Sequence, residues 1–289
     1  MLAELAVIVA LVGLIGGLVG MTLVRQQRFY SGASEQLQAR EDVRDAMELL
    51  SSDIRGTSIA DTLRLVADSA IELFASIGTS VVCQTIAGAR VDLPRQSPAP
   101  LNALTAFIAL PDTGDIAVFH RDSLVGSSEW ERHRIVGFAA QTGDVACPAV
   151  AGSAIGFQLQ LASPLTAQVG AGSPVRFIRR GRYSIYRASD AQWYLGYRRC
   201  NAVGERSTCG VIQPLSGPYA EYSTDATSTG LLFEYFNAAG GRLKPGDSPL
   251  EIARVDITAR AAAGRRSWMR GSGSAAPQSA TVAVAIRNR

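Results

Sequence analysis

The chain has 289 residues, 47% of them hydrophobic, enough to bury a sizeable core. Its 28 basic and 25 acidic residues leave a formal net charge of +3, which argues against a general polyanion binder and gives no strong nucleic-acid signal. Every basic residue except Lys244 is arginine, a bias that reflects composition rather than arginine-specific chemistry.

The first predicted element is a helix. From Leu5 to Val24 there is no charged residue, and a helical stretch of that length covers about 30 Å, the thickness of a bilayer's hydrocarbon core. A membrane span over 5–24, retained rather than cleaved as a signal peptide, is therefore expected. Gly13 with Gly17 and Gly16 with Gly20 form two overlapping GxxxG pairs that let another helix approach closely. Glycine is also common in such helices, so the pairs have a second, purely compositional reading. Beyond Val24 the chain becomes charged, yet Val43, Met47, Leu50 and Ile54 recur at steps of four, three and four. They leave one apolar stripe for packing on a globular domain, and Gly56 is placed to end the helix.

The order Leu2-Ala3-Glu4-Leu5, followed by an unbroken apolar helix, resembles the opening of mature type IV pilins and pseudopilins. The stretches Gln26–Tyr30 and Ala39–Arg55, and the later segments Gly230–Phe236, Ile252–Arg260 and Ala285–Arg289, are similar to PilW-like minor pilins. The resemblance implies that Glu4, with Leu5 beside it, pairs with the amino terminus of a neighbouring subunit. It also implies that Gly13, Gly16, Gly17 and Gly20 pack against adjacent helices. The family's basic leader and cleavage glycine do not precede Met1 in this sequence, so the natural reading frame is expected to start upstream. The charge bias, with Arg25 and Arg28 after the span and Glu4 before it, points the same way.

After Gly56 the pattern becomes alternating. Strands are expected at Ala70–Ala75, Ser80–Ile86, Leu104–Leu110, Ile116–His120, Val175–Ile178, Tyr183–Tyr186, Gln192–Tyr197, Gly230–Phe236, Ile252–Arg260 and Thr281–Arg287. Pro111–Asp115 reads as a hairpin turn; its Asp-Thr-Gly is a single triplet, whereas an aspartic protease needs two carboxylates sharing a site. Gly264–Pro277 reads as a flexible loop.

Cys83, Cys147, Cys200 and Cys209 are too widely spaced, with only His120 and His133, for a zinc pattern. In an oxidising compartment Cys200 with Cys209 and Cys83 with Cys147 are the expected bridges among the three pairings four cysteines allow; reduced thiols are the alternative. No phosphate loop, HExxH, GxSxG or EF-hand motif occurs. Glu129, Glu131 and His133 form the best unmarked acid/base group, although a solvated strand edge is the plainer reading. No catalytic residue, metal or cofactor is expected.

The combined expectation is an α+β fold in two parts. Residues 1–56 form a long helix, half transmembrane and half amphipathic, and 57–289 a mainly antiparallel, pilin-type periplasmic head. The expected function is that of a minor pilin that initiates or caps a type IV pilus, held in the bacterial inner membrane before it enters the filament. Its expected partners are other minor and major pilins or pseudopilins, the inner-membrane assembly platform, prepilin peptidase acting on the precursor, and lipid. A type II secretion minor pseudopilin is the nearest alternative, and a membrane-anchored periplasmic binding protein or enzyme the alternative of another class.

Overall fold

The computed structural model describes residues 2–57, 65–86, 89–96, 104–121, 129–201, 208–244, 247–261 and 278–286; within the first helix, side chains are described from Gly13 onward, apart from residues 28 and 32, and those of 65 and 66 are likewise outside the description. Helix α1 runs Leu2–Gly56. Fourteen strands follow among the described residues: β1 Leu65–Val66, β2 Ala70–Val81, β3 Gln84–Ile86, β4 Arg90–Pro94, β5 Ala106–Phe107, β6 Ile116–Arg121, β7 Glu129–Ala140, β8 Ile155–Leu161, β9 Pro174–Arg187, β10 Trp193–Arg199, β11 Gln213–Tyr219, β12 Leu231–Phe236, β13 Arg254–Arg260 and β14 Ser279–Ala285.

All pairings are antiparallel. Eleven strands form one sheet with the order β1-β2-β9-β6-β7-β8-β4-β3, to which β10 and β11 attach through β9 and β5 through β2; the other sheet is β12-β13-β14. The spine is β9. One edge pairs with β2 from Ala70 to Val81, while the other is shared between β6, opposite Val175–Ile178, and β10, opposite Gly181–Arg187. Two cores result. Toward β10 the sheet is covered by α1 and the three-stranded sheet, around Leu50, Ile54, Leu73, Tyr183, Leu195, Phe233 and Ile257. Toward β6 it curls through β7, β8 and β4 around Val91, Leu93, Phe119, Ile135, Leu159 and Phe177. Register breaks at Ser76/Gly78, Leu93/Pro94 and Ile135/Gly137 supply the local bends that such a curl needs.

Gly181 and Gly230 are among the glycines set by close approach. A Cβ at Gly181 would lie 2.3 Å from the Tyr197 ring, and one at Gly230 only 1.9 Å from the Ala220 carbonyl oxygen. Neither position admits a side chain without displacing its neighbour.

The expected α+β fold class is corrected: strands dominate, and the structure is mainly antiparallel sheet in two layers rather than a pilin-type head on a long apolar helix. Among the described residues no helix is long and apolar enough to cross a membrane. Only Gly13–Val24 is both uncharged and described at side-chain level, about 18 Å of helix, and four of its residues are glycines; Arg25 and Arg28 follow. The first eight residues of the expected span 5–24, Leu5 included, and also Glu4 lie outside the described side chains.

Several strand boundaries also differ. The two runs expected at Val175–Ile178 and Tyr183–Tyr186 are one strand, β9, because Arg179, Arg180 and Arg182 between them are buried or half-buried by ion pairing and interrupt the apolar pattern, not the backbone. Ala70–Ala75 likewise continues through the bulge to Val81. Leu104–Leu110 shrinks to Ala106–Phe107, with Ile108 90% exposed. The loop Gly264–Pro277 and the terminal residues 287–289 lie outside the described residues.

Candidate assembly surface

Helix α1 presents two different surfaces. Over its second half Val43, Met47, Leu50 and Ile54, with Ala46, are buried and join the core made with β2, β9, β10 and the three-stranded sheet. Their spacing puts them on one face of the helix. Polar groups around this face are satisfied locally: Ser51 Oγ donates to the Met47 carbonyl at 2.5 Å, and Thr57 Oγ1 to the Asp53 carbonyl at 3.0 Å. Tyr219 Oη donates to the Asp42 carbonyl at 2.9 Å, fixing β11 to the helix, and burial pushes its phenol up to about 12.

The Asp53 carboxylate accepts from Tyr183 Oη at this junction. Burial raises the Asp53 pKa, and the tyrosine's hydrogen bond only partly opposes it. A carboxyl whose pKa is raised on folding contributes stability that is complete below its unfolded value, about 3.9, and is lost as pH climbs through the folded value. Asp53→Asn is therefore expected to raise the thermal midpoint at neutral pH and to flatten its fall above about pH 4. Calorimetry across that range tests this, and an unchanged pH profile would show that Asp53 is not the group responsible.

The first half of the described helix has the opposite character. Leu14, Ile15, Leu18, Val19, Met21, Leu23 and Val24 are all exposed, as are Phe29 and Tyr30 at 73% and 70%. A helix that is apolar all round is ordinarily buried, so this exposed stretch is a candidate interaction surface. Gly13, Gly16, Gly17 and Gly20 follow i, i+3, i+4, i+7 spacing along one face, and a Cβ added at any of them would meet nothing within 4 Å in this chain. Among the described residues, nothing fills the notch they form. Thr22 turns its hydroxyl back onto the Val19 carbonyl at 2.8 Å, so no side-chain donor interrupts the apolar surface there.

Both disulfides are formed, Cys83–Cys147 and Cys200–Cys209. The Sγ atoms of the latter and a Glu72 carboxylate oxygen lie within 4.8 Å of one another. They do not make a metal centre: the sulfurs are bonded to each other, and Glu72 is occupied by arginines. Arg180 Nε reaches its Oε1 at 2.5 Å, and Arg182 Nη2 its Oε2 at 2.7 Å. This buried ionic group, with Glu72 at 1% and Arg180 at 3% exposure, was not anticipated from sequence.

The acid/base candidates separate. Glu129 pairs with Arg121, whereas Glu131 accepts from Thr166 Oγ1 at 2.7 Å and lies 3.2 Å from His133 Nε2. Ser163 Oγ lies 2.9 Å from His133 Nδ1. The connectivity Glu131–His133–Ser163 has the form of a nucleophile, base and orienting acid, but Ser163 is exposed beside Pro164, and a cavity of about 470 Å³ lies elsewhere, against Asp68, Phe233, Tyr235 and Leu243. As placed, these groups tie the Ser163–Thr166 loop to β7. Pro111–Asp115 is a turn: the Asp115 amide donates to the Asp112 carbonyl at 3.0 Å and Gly114 adopts φ +93°. Both of its carboxylates bind arginine, Asp112 to Arg199 and Asp115 to Arg179 and Arg199. Arg199 holds the Asp112 carboxyl below its ordinary value, with the Thr113 amide assisting.

No family model, curated protein or solved structure matches this chain.

Proposed function

We propose that this protein is a helix-assembled filament subunit, a minor pilin or type II secretion pseudopilin that helps start or cap a filament. The observation that carries the reading is the solvent-facing apolar half of α1, Leu14–Val24, whose glycine face nothing fills among the described residues, attached to a head that grips the other half of the helix. Such a surface needs a cover of lipid or of neighbouring apolar helices, and close small-residue packing suits the second. On this reading the helix is stored in the inner membrane, Glu4 pairs with a neighbour's amino terminus, and the head works in the periplasm, where disulfides persist.

The decisive experiment compares two changes in the native host. Gly16→Ile with Gly17→Ile fills the notch without lowering hydrophobicity. An unrelated transmembrane helix replacing 1–24 keeps an anchor and discards the surface. Both are expected to abolish incorporation into sheared filaments while the head still folds with its disulfides formed. Undiminished function with the foreign helix would leave only a tether, as expected of an anchored binding protein or enzyme.

A further inference from the structure

Along β9, side chains alternate between the two faces of the sheet. Val175, Phe177, Tyr183 and Ile185 point toward the two cores. Arg176 therefore stands on the outer face, and its neighbours across β6 and β7 extend the same surface. Val118 pairs with Arg176 on one side and Arg132 on the other; Ile116 pairs with Arg134, and His120 with Trp130. Arg132, Arg134 and Arg176 are exposed, Ile116, Val118 and His120 half-buried, and Trp130 is 45% exposed. The Arg176 guanidinium sits 5.8 Å from the Trp130 ring. Across the three strands the arginines of the shared row are about 10 Å apart, and Arg132 and Arg134 are about 7 Å apart along β7. Glu129 and Glu131 fall on the other face of β7, while Glu72 is already held by Arg180 and Arg182. Among the described residues of these three strands, the outer face carries arginines and no carboxylate.

The same chain presents the complementary charge. At about 100° per residue, Glu41, Asp45 and Glu48 lie within about 60° of one another, on the side of α1 opposite Val43, Leu50 and Ile54. All three are exposed. Glu48 is paired to Arg44 at 2.7 Å, whereas Glu41 and Asp45 make no ion pair among the described residues. Asp42 next to them has its pKa raised by burial first, with repulsion from Asp45 and Glu41 adding to it.

We infer that the outer face of β9-β6-β7 receives the acidic side of α1, at Glu41 and Asp45, from a second copy of this chain. The inference rests on the assembly reading and names its head contact. Basic face and acidic helix side are different surfaces facing opposite ways from the sheet, so the contact is heterologous. Repeated contacts of this kind propagate into a ring or a filament rather than closing a two-fold dimer. A single-stranded nucleic acid is the less suited occupant, because the exposed aromatic of the patch, Trp130, is already engaged by Arg176 and by His120 at 5.1 Å, which limits its use as a stacking platform.

The test uses full-length protein in zwitterionic detergent micelles at low ionic strength, with Leu49→p-benzoylphenylalanine as photo-crosslinker on the exposed side of the helix. Cross-links between copies are expected on β6, β7 and β9. Arg134→Glu with Arg176→Glu, or Glu41→Arg with Asp45→Arg, is expected to lower their yield about tenfold or more, as is 0.5 M salt. Mixing the two reversed proteins, the crosslinker in the helix-reversed one, is expected to restore the cross-link, which a misfolded variant cannot do. Cross-links on any other surface, or a yield indifferent to both reversals, overturn the inference while leaving helix-driven assembly intact. Failure of the glycine substitutions to affect filaments strikes the assembly reading alone. Binding of a fluorescent oligonucleotide that depends on Arg134 and Arg176, with cross-links insensitive to Glu41 and Asp45, assigns the face to a polyanion and equally overturns it.

Discussion

Glu72→Gln is expected to destabilise the head by about 3–5 kcal/mol in equilibrium urea unfolding, because among the described residues it removes the one carboxylate that binds a guanidinium water hardly reaches. Arg180 is 3% exposed; its Nε binds Glu72 and its Nη1 donates to the Asn201 carbonyl at 3.0 Å. Glutamine keeps one acceptor and most of the volume but leaves the charge of Arg180 uncompensated. Arg182, at 29% exposure, can turn toward solvent and loses less. The contrast case is Arg44–Glu48, whose side chains are 77% and 63% exposed; truncating that pair is expected to change stability imperceptibly. Exchanging Glu72 and Arg180 together for apolar residues of similar volume is expected to recover most of the loss, since it removes the buried charge as well as its partner. A Glu72→Gln protein within about 1 kcal/mol of the parent would mean that water reaches the guanidinium after all.

That cluster shows where sequence reading reaches and where it stops. The spacing of Val43, Met47, Leu50 and Ile54 carries its own geometry, because helical neighbours three and four apart share a face whatever the rest of the chain does. The turn at Pro111–Asp115 is similarly local. The arginines of β9 are not. In sequence Arg176, Arg179, Arg180 and Arg182 look alike, yet alternation sends Arg179 to the Asp115 side of the sheet and Arg180 and Arg182 to the Glu72 side, leaving Arg176 exposed. Their partners lie 64, 108 and 110 residues away. Only the pairing of β2 and β6 with β9 brings those carboxylates into reach, and that register is invisible without the fold. The spine itself reads in sequence as two short fragments because its paired arginines interrupt the apolar alternation that signals a strand, and β2 reads short because a bulge at Ser76/Gly78 breaks its register. The fold class failed for a related reason: the helix commands attention in sequence, while the mass of the structure lies in strands whose pairing is non-local. For the apolar, glycine-bearing half of α1 the position is reversed. Its glycines and apolar residues are contiguous in sequence, so the run itself is legible there, and the structure adds that, among the described residues, the head leaves Leu14–Val24 uncovered.

The second large effect separates the two disulfides. Closing a longer loop removes more freedom from the unfolded chain, so Cys83→Ala/Cys147→Ala, which opens a bridge of sequence separation 64, is expected to cost about 4 kcal/mol on the loop-entropy account. Cys200→Ala/Cys209→Ala opens one of separation 9 and is expected to cost about 2.5 kcal/mol by the same relation. The short bridge has a further role, because its sulfurs lie within 4.8 Å of a Glu72 carboxylate oxygen and it holds in place the Asn201 carbonyl that Arg180 uses. Loss of the short bridge and loss of Glu72 should therefore be non-additive, with a coupling of about 0.5–3 kcal/mol in a double-mutant cycle. The long bridge closes a separate small cluster around Ile155 and should add independently to Glu72→Gln. Urea unfolding without reductant of the two bridge variants, of Glu72→Gln and of Glu72→Gln combined with each bridge variant measures all of these quantities. Equal losses for the two bridges would refute the loop-length ordering, and additive losses at Glu72 and Cys200–Cys209 would show that the bridge does not shelter the buried ion cluster.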